Sequence, residues 1–152
     1  MPQAATLHFG AVDYEDRNVI EFPAGLPGFE DESRFVMIER EETAPVIFLQ
    51  SLRTTELAFL TLPAAMVDPD YELAATPEDV EALGLPTAPE VGRDFLCLTI
   101  LTLTESEPPA ANLKAPVIVN LHTREAWQII SMQPHHSARH LLALPVTEPA
   151  SC

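Results

Sequence analysis

Eight short runs of apolar and β-branched residues recur along the chain, at 6–9, 19–22, 34–39, 46–52, 57–62, 95–104, 116–121 and 126–132, each cut off by proline, glycine or acidic residues. Short strands at close spacing with turn signals between them predict a mainly β chain, a small antiparallel β-barrel-like domain. In the run at 95–104 both alternating faces are apolar or Thr, which suits a central strand covered on both sides. The stretch PVIVNLHTREAWQIISM predicts a hairpin that turns near His122 to Arg124 and returns through Trp127.

A single helix is expected at about 76–84, in TPEDVEALGL. Thr76 suits the N-cap, Pro77 the first helical position, and Glu78 and Asp79 the positive end of the helix dipole. Val80 and Leu83 supply a small apolar face, and Gly84 can adopt the left-handed conformation that ends a helix. A second helical turn is expected after Pro134, with LLALP as an alternative last strand. The whole of 1–152 reads as one domain, with a flexible tail at about 145–152.

The stretch EFPAGLPGFED (21–31) is neither a clean strand nor a clean helix. Pro23 and Pro27 each remove a backbone donor, and Gly25 and Gly28 invite positive φ. Phe22 and Leu26 are expected to fold inward and plug the end of the β core. Phe29 could join them or stand out as an interface anchor rimmed by Glu30 and Asp31.

Charge narrows the function. Twenty-three acids face eight Lys plus Arg, a formal net charge of −15. Such a surface repels phosphate, so direct binding of nucleic acid or an anionic membrane is not expected, whereas basic protein surfaces would be attracted in a salt-dependent way. No basic segment followed by an apolar run opens the chain, and the longest apolar stretch is too short to span a bilayer. Cys97 lies inside an apolar run and Cys152 at the end, which suggests no disulfide framework. The expected compartment is the reducing cytoplasm.

No catalytic residue is assigned. GLPG at 25–28 matches a G-x-x-G loop, but the charges that follow are Glu30, Asp31 and Glu32, a negative wall to any phosphate. His135, His136 and His140 offer a metal constellation only if the segment is helical, so that His136 and His140 share a face; no HExxH or paired-cysteine motif accompanies them. The serines lie in no nucleophile motif. Neither a metal nor a cofactor is expected, and a binding protein is favoured over an enzyme.

Four blocks in order then resemble one family. IEFPAGLPGFED (20–31) with RFVMIE (34–39), PVIFLQSL (45–52), LAFLTLPAAMVDPDYEL (57–73) and NLKAPVIVNLHTREAWQII (112–130) are similar to the successive signatures of the flagellar assembly factor FliW family. The resemblance implies a non-catalytic β protein that binds flagellin and the RNA-binding translational repressor CsrA by turns. Free flagellin would occupy it, and once flagellin is exported it would capture CsrA and relieve repression of flagellin mRNA. Two alternatives are a flagellin-specific chaperone without translational control and a small metal-dependent enzyme.

The candidate partner-binding residues are Phe29, Glu30, Asp31, Gln50, Ser51, Asp68, Asp70, Tyr71 and Asn112. For Gln50 and Ser51 a turn role is the main expectation, and for Asn112 turn or buried hydrogen bonding is the default. Asp68, Asp70 and Tyr71 suit a basic partner.

Overall fold

In the computed structural model the apolar runs pair in the order in which they occur along the chain. It describes residues 3–6, 10–73, 75–86, 88–103, 106 and 108–142. Positions 7–9 of the first run, position 104 and the tail at 145–152 lie outside the described residues. The elements are β1 (Gln3–Thr6), β2 (Gly10–Asp13), β3 (Val19–Glu21), β4 (Arg34–Glu39), β5 (Ile47–Ser51), β6 (Ala58–Pro63), α1 (Ala64–Val67), α2 (Pro77–Leu83), β7 (Phe95–Thr102), β8 (Ala110–Ala111), β9 (Val117–Asn120), β10 (Ala126–Gln128) and β11 (His140–Leu141).

β1 and β2 form a separate hairpin, and the main sheet runs β10-β9-β7-β6-β5-β4-β3, with β8 on β7 and β11 on β8. Every ladder is antiparallel. Strand twist accumulates across so many strands. The sheet curls until the Glu21 N–H at the β3 edge donates to the Arg124 carbonyl, 2.9 Å away, just ahead of β10. That contact is one isolated bridge, Glu21 to Glu125, and no ladder follows it. The sheet is therefore not closed, and barrel-like describes it approximately.

The core sits on both faces of the sheet. Phe22, Leu26, Phe35, Leu49, Leu98 and Val117 pack inside the curl. On the other face Phe95, Cys97 and Ile118 of β7 and β9 meet Leu83 of α2, with Trp127 and Tyr71 beside them. Alternation along β7 thus sends neighbouring residues to two different cores, which is why its sequence shows no polar face. Burial pushes the Cys97 thiol up to about 12, so it behaves as a small apolar side chain.

α2 begins as its caps dictate: the Thr76 hydroxyl accepts the Asp79 N–H at 3.1 Å, and Gly84 ends the helix at φ +63°. Leu83 is buried but Val80 is exposed, so the apolar face is one residue rather than the expected pair. The helical turn expected after Pro134 does not form. Residues 134–135 and 138–139 make turns, and His140–Leu141 pairs with Ala110–Ala111 as a last strand. Ladder pairing satisfies backbone groups that a single helical turn would leave free. No described helix is long and apolar enough to cross a membrane.

Candidate functional site

The corner at 21–32 is the most distinctive surface feature. Phe22 is fully buried and meets the Phe35 ring edge-on at 5.4 Å, and Leu26 is buried beside it, so both act as the expected plug. Burying side chains of this size stabilises by ~1.5–3 kcal/mol each. The backbone doubles back through hydrogen bonds from Gly25 N–H to Phe22 O (2.9 Å) and from Phe29 N–H to Leu26 O (2.7 Å). Gly25 sits at φ +69°, where a Cβ would stand 2.7 Å from the Glu30 backbone, so only glycine permits this crossing.

Phe29 lies on the outside of the turn. It is 41 % exposed and rests one edge on Phe59 at 5.4 Å. Glu30 and Asp31 beside it are exposed, Glu30 also accepting the Gly28 N–H at 3.1 Å. An exposed aromatic followed along the chain by two exposed acids is a chemically coherent docking point for a basic surface.

Beneath the corner lies a polar lock. Glu32 accepts hydrogen bonds from the Ser51 hydroxyl and from Thr54 Oγ1, the latter at 2.6 Å. These donors, Ser51 first, hold the Glu32 carboxyl below its usual range, against the opposing pull of desolvation. Ser51 Oγ also accepts the Arg53 and Thr54 N–H groups at 3.0 and 2.9 Å, and Arg53 Nη1 donates to the Asp31 carbonyl at 2.9 Å. Gln50 Nε2 donates to the carbonyls of Ser51, Thr54 and Thr55. Gln50 and Ser51 are both buried, so as partner contacts they are corrected: their side chains build the turn that carries the corner.

The remaining candidates separate. Asn112 Oδ1 accepts the Lys114 and Ala115 N–H groups at 3.1 and 2.9 Å, an Asx turn leading into β9. Asp68 Oδ1 accepts the Asp70 N–H at 3.0 Å, and of the two only Asp70 is exposed. Tyr71 turns inward: its hydroxyl donates to the Leu113 carbonyl at 3.1 Å, and its ring stacks on His136 with centroids 4.3 Å apart. Desolvation holds the phenol protonated far above its ordinary range. The exposed acid pair beside an aromatic expected here is therefore a single exposed acid, Asp70, with Asp68 half-buried, beside a half-buried ring.

The histidines do not converge. His136 is buried with Nδ1 sharing a 2.5 Å hydrogen bond with Ser131, His135 stands edge-on to it, and His140 lies in β11. No group of three or more metal-ligating side chains occurs among the described residues.

Sequence reasoning missed Asp94. It is buried, its Oδ2 accepts the Glu90 N–H and its Oδ1 pairs with His122 Nε2, both at 2.8 Å. The hydrogen bond from His122, then that from Glu90, depress its pKa. The pair pins the β9–β10 turn to the head of β7. The only sequence signal was an acid immediately before an apolar strand, which many solvated turns share.

Comparison with known proteins follows the same architecture. Residues 3–142 match the family model described as FliW protein. A flagellar assembly factor FliW from Ruminiclostridium cellulolyticum is 33 % identical over 138 residues, covering 90 % of this chain and 91 % of that protein. One from Bacillus pumilus is 34 % identical over 138 residues, covering 90 % and 93 %. A crystal structure of the flagellar assembly factor FliW superimposes with a TM-score of 0.79 at 29 % identity, covering 92 % of this chain and 96 % of that one.

Proposed function

The chain belongs to the FliW family of flagellar assembly factors, and from that premise we propose that it is a cytoplasmic, non-enzymatic regulator that holds flagellin and the translational repressor CsrA in turn. While flagellin is abundant the protein is occupied and CsrA silences flagellin mRNA. When flagellin is exported, the vacated protein captures CsrA and translation resumes.

The observation that supports this reading best is the acid-rimmed corner, with Phe29 exposed above Glu30 and Asp31 on a chain of net charge −15. A body this negative, seated beside an RNA-binding surface, repels incoming phosphate without covering the site itself. The repulsion reaches only about a Debye length, ~8 Å at physiological ionic strength, so the antagonist must dock directly.

The test is a competition measured by fluorescence anisotropy of labelled flagellin leader RNA bound to CsrA. Added protein is expected to release the RNA, flagellin to reverse the release, and the charge-reversed pair Glu30→Lys with Asp31→Lys to release it at least tenfold less effectively. RNA that stays bound while flagellin is kept soluble would instead establish a chaperone without translational control.

A further inference from the structure

Three arginines gather beside the acidic corner. Arg34 and Arg53 line a cleft of about 200 Å³ together with Asp31. Arg34 also lines a second cleft, of about 250 Å³, with Arg124, Asp16 and Glu21. These are three of the eight Lys and Arg residues in a chain with 23 acids, yet they are poorly matched to carboxylates. Arg34 reaches Glu21 only at 3.7 Å, and neither Arg53 nor Arg124 joins an ion pair among the described residues. Arg53 gives a donor to the Asp31 backbone carbonyl instead. Arg124 is held at φ +65°, a left-handed conformation that glycine adopts with less strain. The turn uses only its backbone: the N–H donates to the Asn120 carbonyl at 2.8 Å, and the carbonyl accepts the Glu21 N–H at 2.9 Å. The arginine side chain, half-buried in the cleft, is no requirement of that turn.

Two bodies of net charge −15 repel each other over most of their surface. Repulsion is least where cations offset the acids. In the two clefts Asp16, Glu21 and Asp31 stand against Arg34, Arg53 and Arg124, so the local charge is balanced. Beside them lie Phe29, 41 % exposed, and the exposed Glu30. One face thus carries carboxylates, arginines and an aromatic anchor together. That is the composition a two-fold contact needs, since each patch then meets its complement on the other copy.

We propose that this face joins two copies of the chain, Glu30 and Asp31 of each against Arg34 and Arg124 of the other, with Phe29 covered between them. The dimer involves neither flagellin nor CsrA, so its fate is separate from that of the proposed function.

Salt gives such a contact a signature. At ~0.01 M ionic strength the Debye length is ~30 Å, and the whole negative charge of each copy opposes the other. At ~0.15 M it is ~8 Å, and only the balanced face is felt; at ~1 M it is ~3 Å, and the arginine–carboxylate pairs are screened as well. Association through this face therefore peaks at intermediate salt. An apolar contact, once freed of repulsion, holds or strengthens at high salt.

The experiment is sedimentation velocity of the full chain alone, at concentrations up to ~1 mM and at these three sodium chloride concentrations. The expected result is a reversible dimer, most populated at the middle one. Two charge-reversed variants, Arg34→Glu with Arg124→Glu and Glu30→Lys with Asp31→Lys, are each expected to dissociate at least tenfold more readily. Their equimolar mixture is expected to restore the dimer, because an acidic face then meets a basic one. A chain that stays monomeric at every concentration and salt overturns the proposal. So does association that holds or rises from the middle to the highest salt, which would give the contact to an apolar surface. Variants that dimerise like the unmodified chain overturn it too, as does a mixture that stays monomeric although both variants melt as the unmodified chain does. Should a variant misfold, the salt series on the unmodified chain decides alone.

Discussion

Asn120 Nδ2 donates a 2.8 Å hydrogen bond to the carbonyl of Leu83, fastening the last turn of α2 to the end of β9. Its Oδ1 accepts the N–H groups of His122 at 2.8 Å and Thr123 at 3.2 Å, so one buried side chain caps a helix and shapes a hairpin turn. Removing it strands an acceptor and two donors away from good partners.

Asn120→Ala is accordingly expected to destabilise the protein by about 2–4 kcal/mol, since each buried polar group left unsatisfied costs ~1–3 kcal/mol and part of the turn can reach water. Urea unfolding monitored by Trp127 fluorescence measures this. Asn120→Asp keeps the turn-side acceptor but sets a second carboxylate oxygen against the Leu83 carbonyl in a buried site, so a loss at least as large is expected.

Phe22 and Phe29 differ by seven positions and play opposite parts. Phe22→Ala opens a cavity in the main core and is expected to cost ~3–5 kcal/mol. Phe29→Ala removes one edge contact with Phe59, worth ~0.5–1.5 kcal/mol, and should leave a folded protein. The measurable consequence of Phe29→Ala lies in CsrA antagonism, expected to weaken tenfold or more as for an interface anchor. Thermal unfolding alongside RNA competition separates the two effects.

The strands and the helix were legible because local chemistry decides them. The 34–39 run is β4 residue for residue, and Thr76, Pro77 and Gly84 take the capping positions their chemistry favours. What stayed hidden depends on contacts between distant parts of the chain. A glutamine ending an apolar strand looks alike whether it faces solvent or, as Gln50 does, three carbonyls of the next turn. Tyr71 looked like a contact residue because nothing local announces Leu113 and His136, its partners far along the chain. Asp94 and His122 are 28 residues apart and meet only because β7 and β9 pair. Of the candidate surface, the corner was readable from its prolines, glycines and acids. The arginine-lined clefts beside it were not, since they assemble from several unconnected segments.

His136 sets an acid sensitivity. Desolvation, joined by the neighbouring charges of His135 and Lys114 and opposed by Asp68, lowers its pKa in the fold. An unfolded histidine titrates near ~6.5, so above that pH both states are neutral and the contribution to stability is complete. As the pH falls below ~6.5 the unfolded chain takes up a proton that the folded one resists, and stability declines until the folded pKa is reached. The urea midpoint is expected to drop between pH 7.5 and 5.5, and to drop less in His136→Asn, which can keep a hydrogen bond to Ser131. Equal slopes in the two proteins would remove His136 from this role.

Gly25 and Gly28 separate backbone strain from steric overlap at the corner. Both have positive φ, +69° and +83°, a conformation that costs an L side chain ~1–2 kcal/mol. At Gly28 a Cβ would meet nothing within 4 Å, so Gly28→Ala is expected to lose only that amount. At Gly25 the Cβ would stand 2.7 Å from both Cα and O of Glu30, so the crossing strands of the corner must move apart. Gly25→Ala is therefore expected to lose at least ~3 kcal/mol and to displace Phe29, Glu30 and Asp31 together. The two variants should then part in function as well: Gly28→Ala retains CsrA antagonism once corrected for the folded fraction, and Gly25→Ala does not. Chemical denaturation with RNA competition on the same preparations decides it, and equal losses in both variants would show that the close approach of Gly25 to Glu30 does not shape this surface.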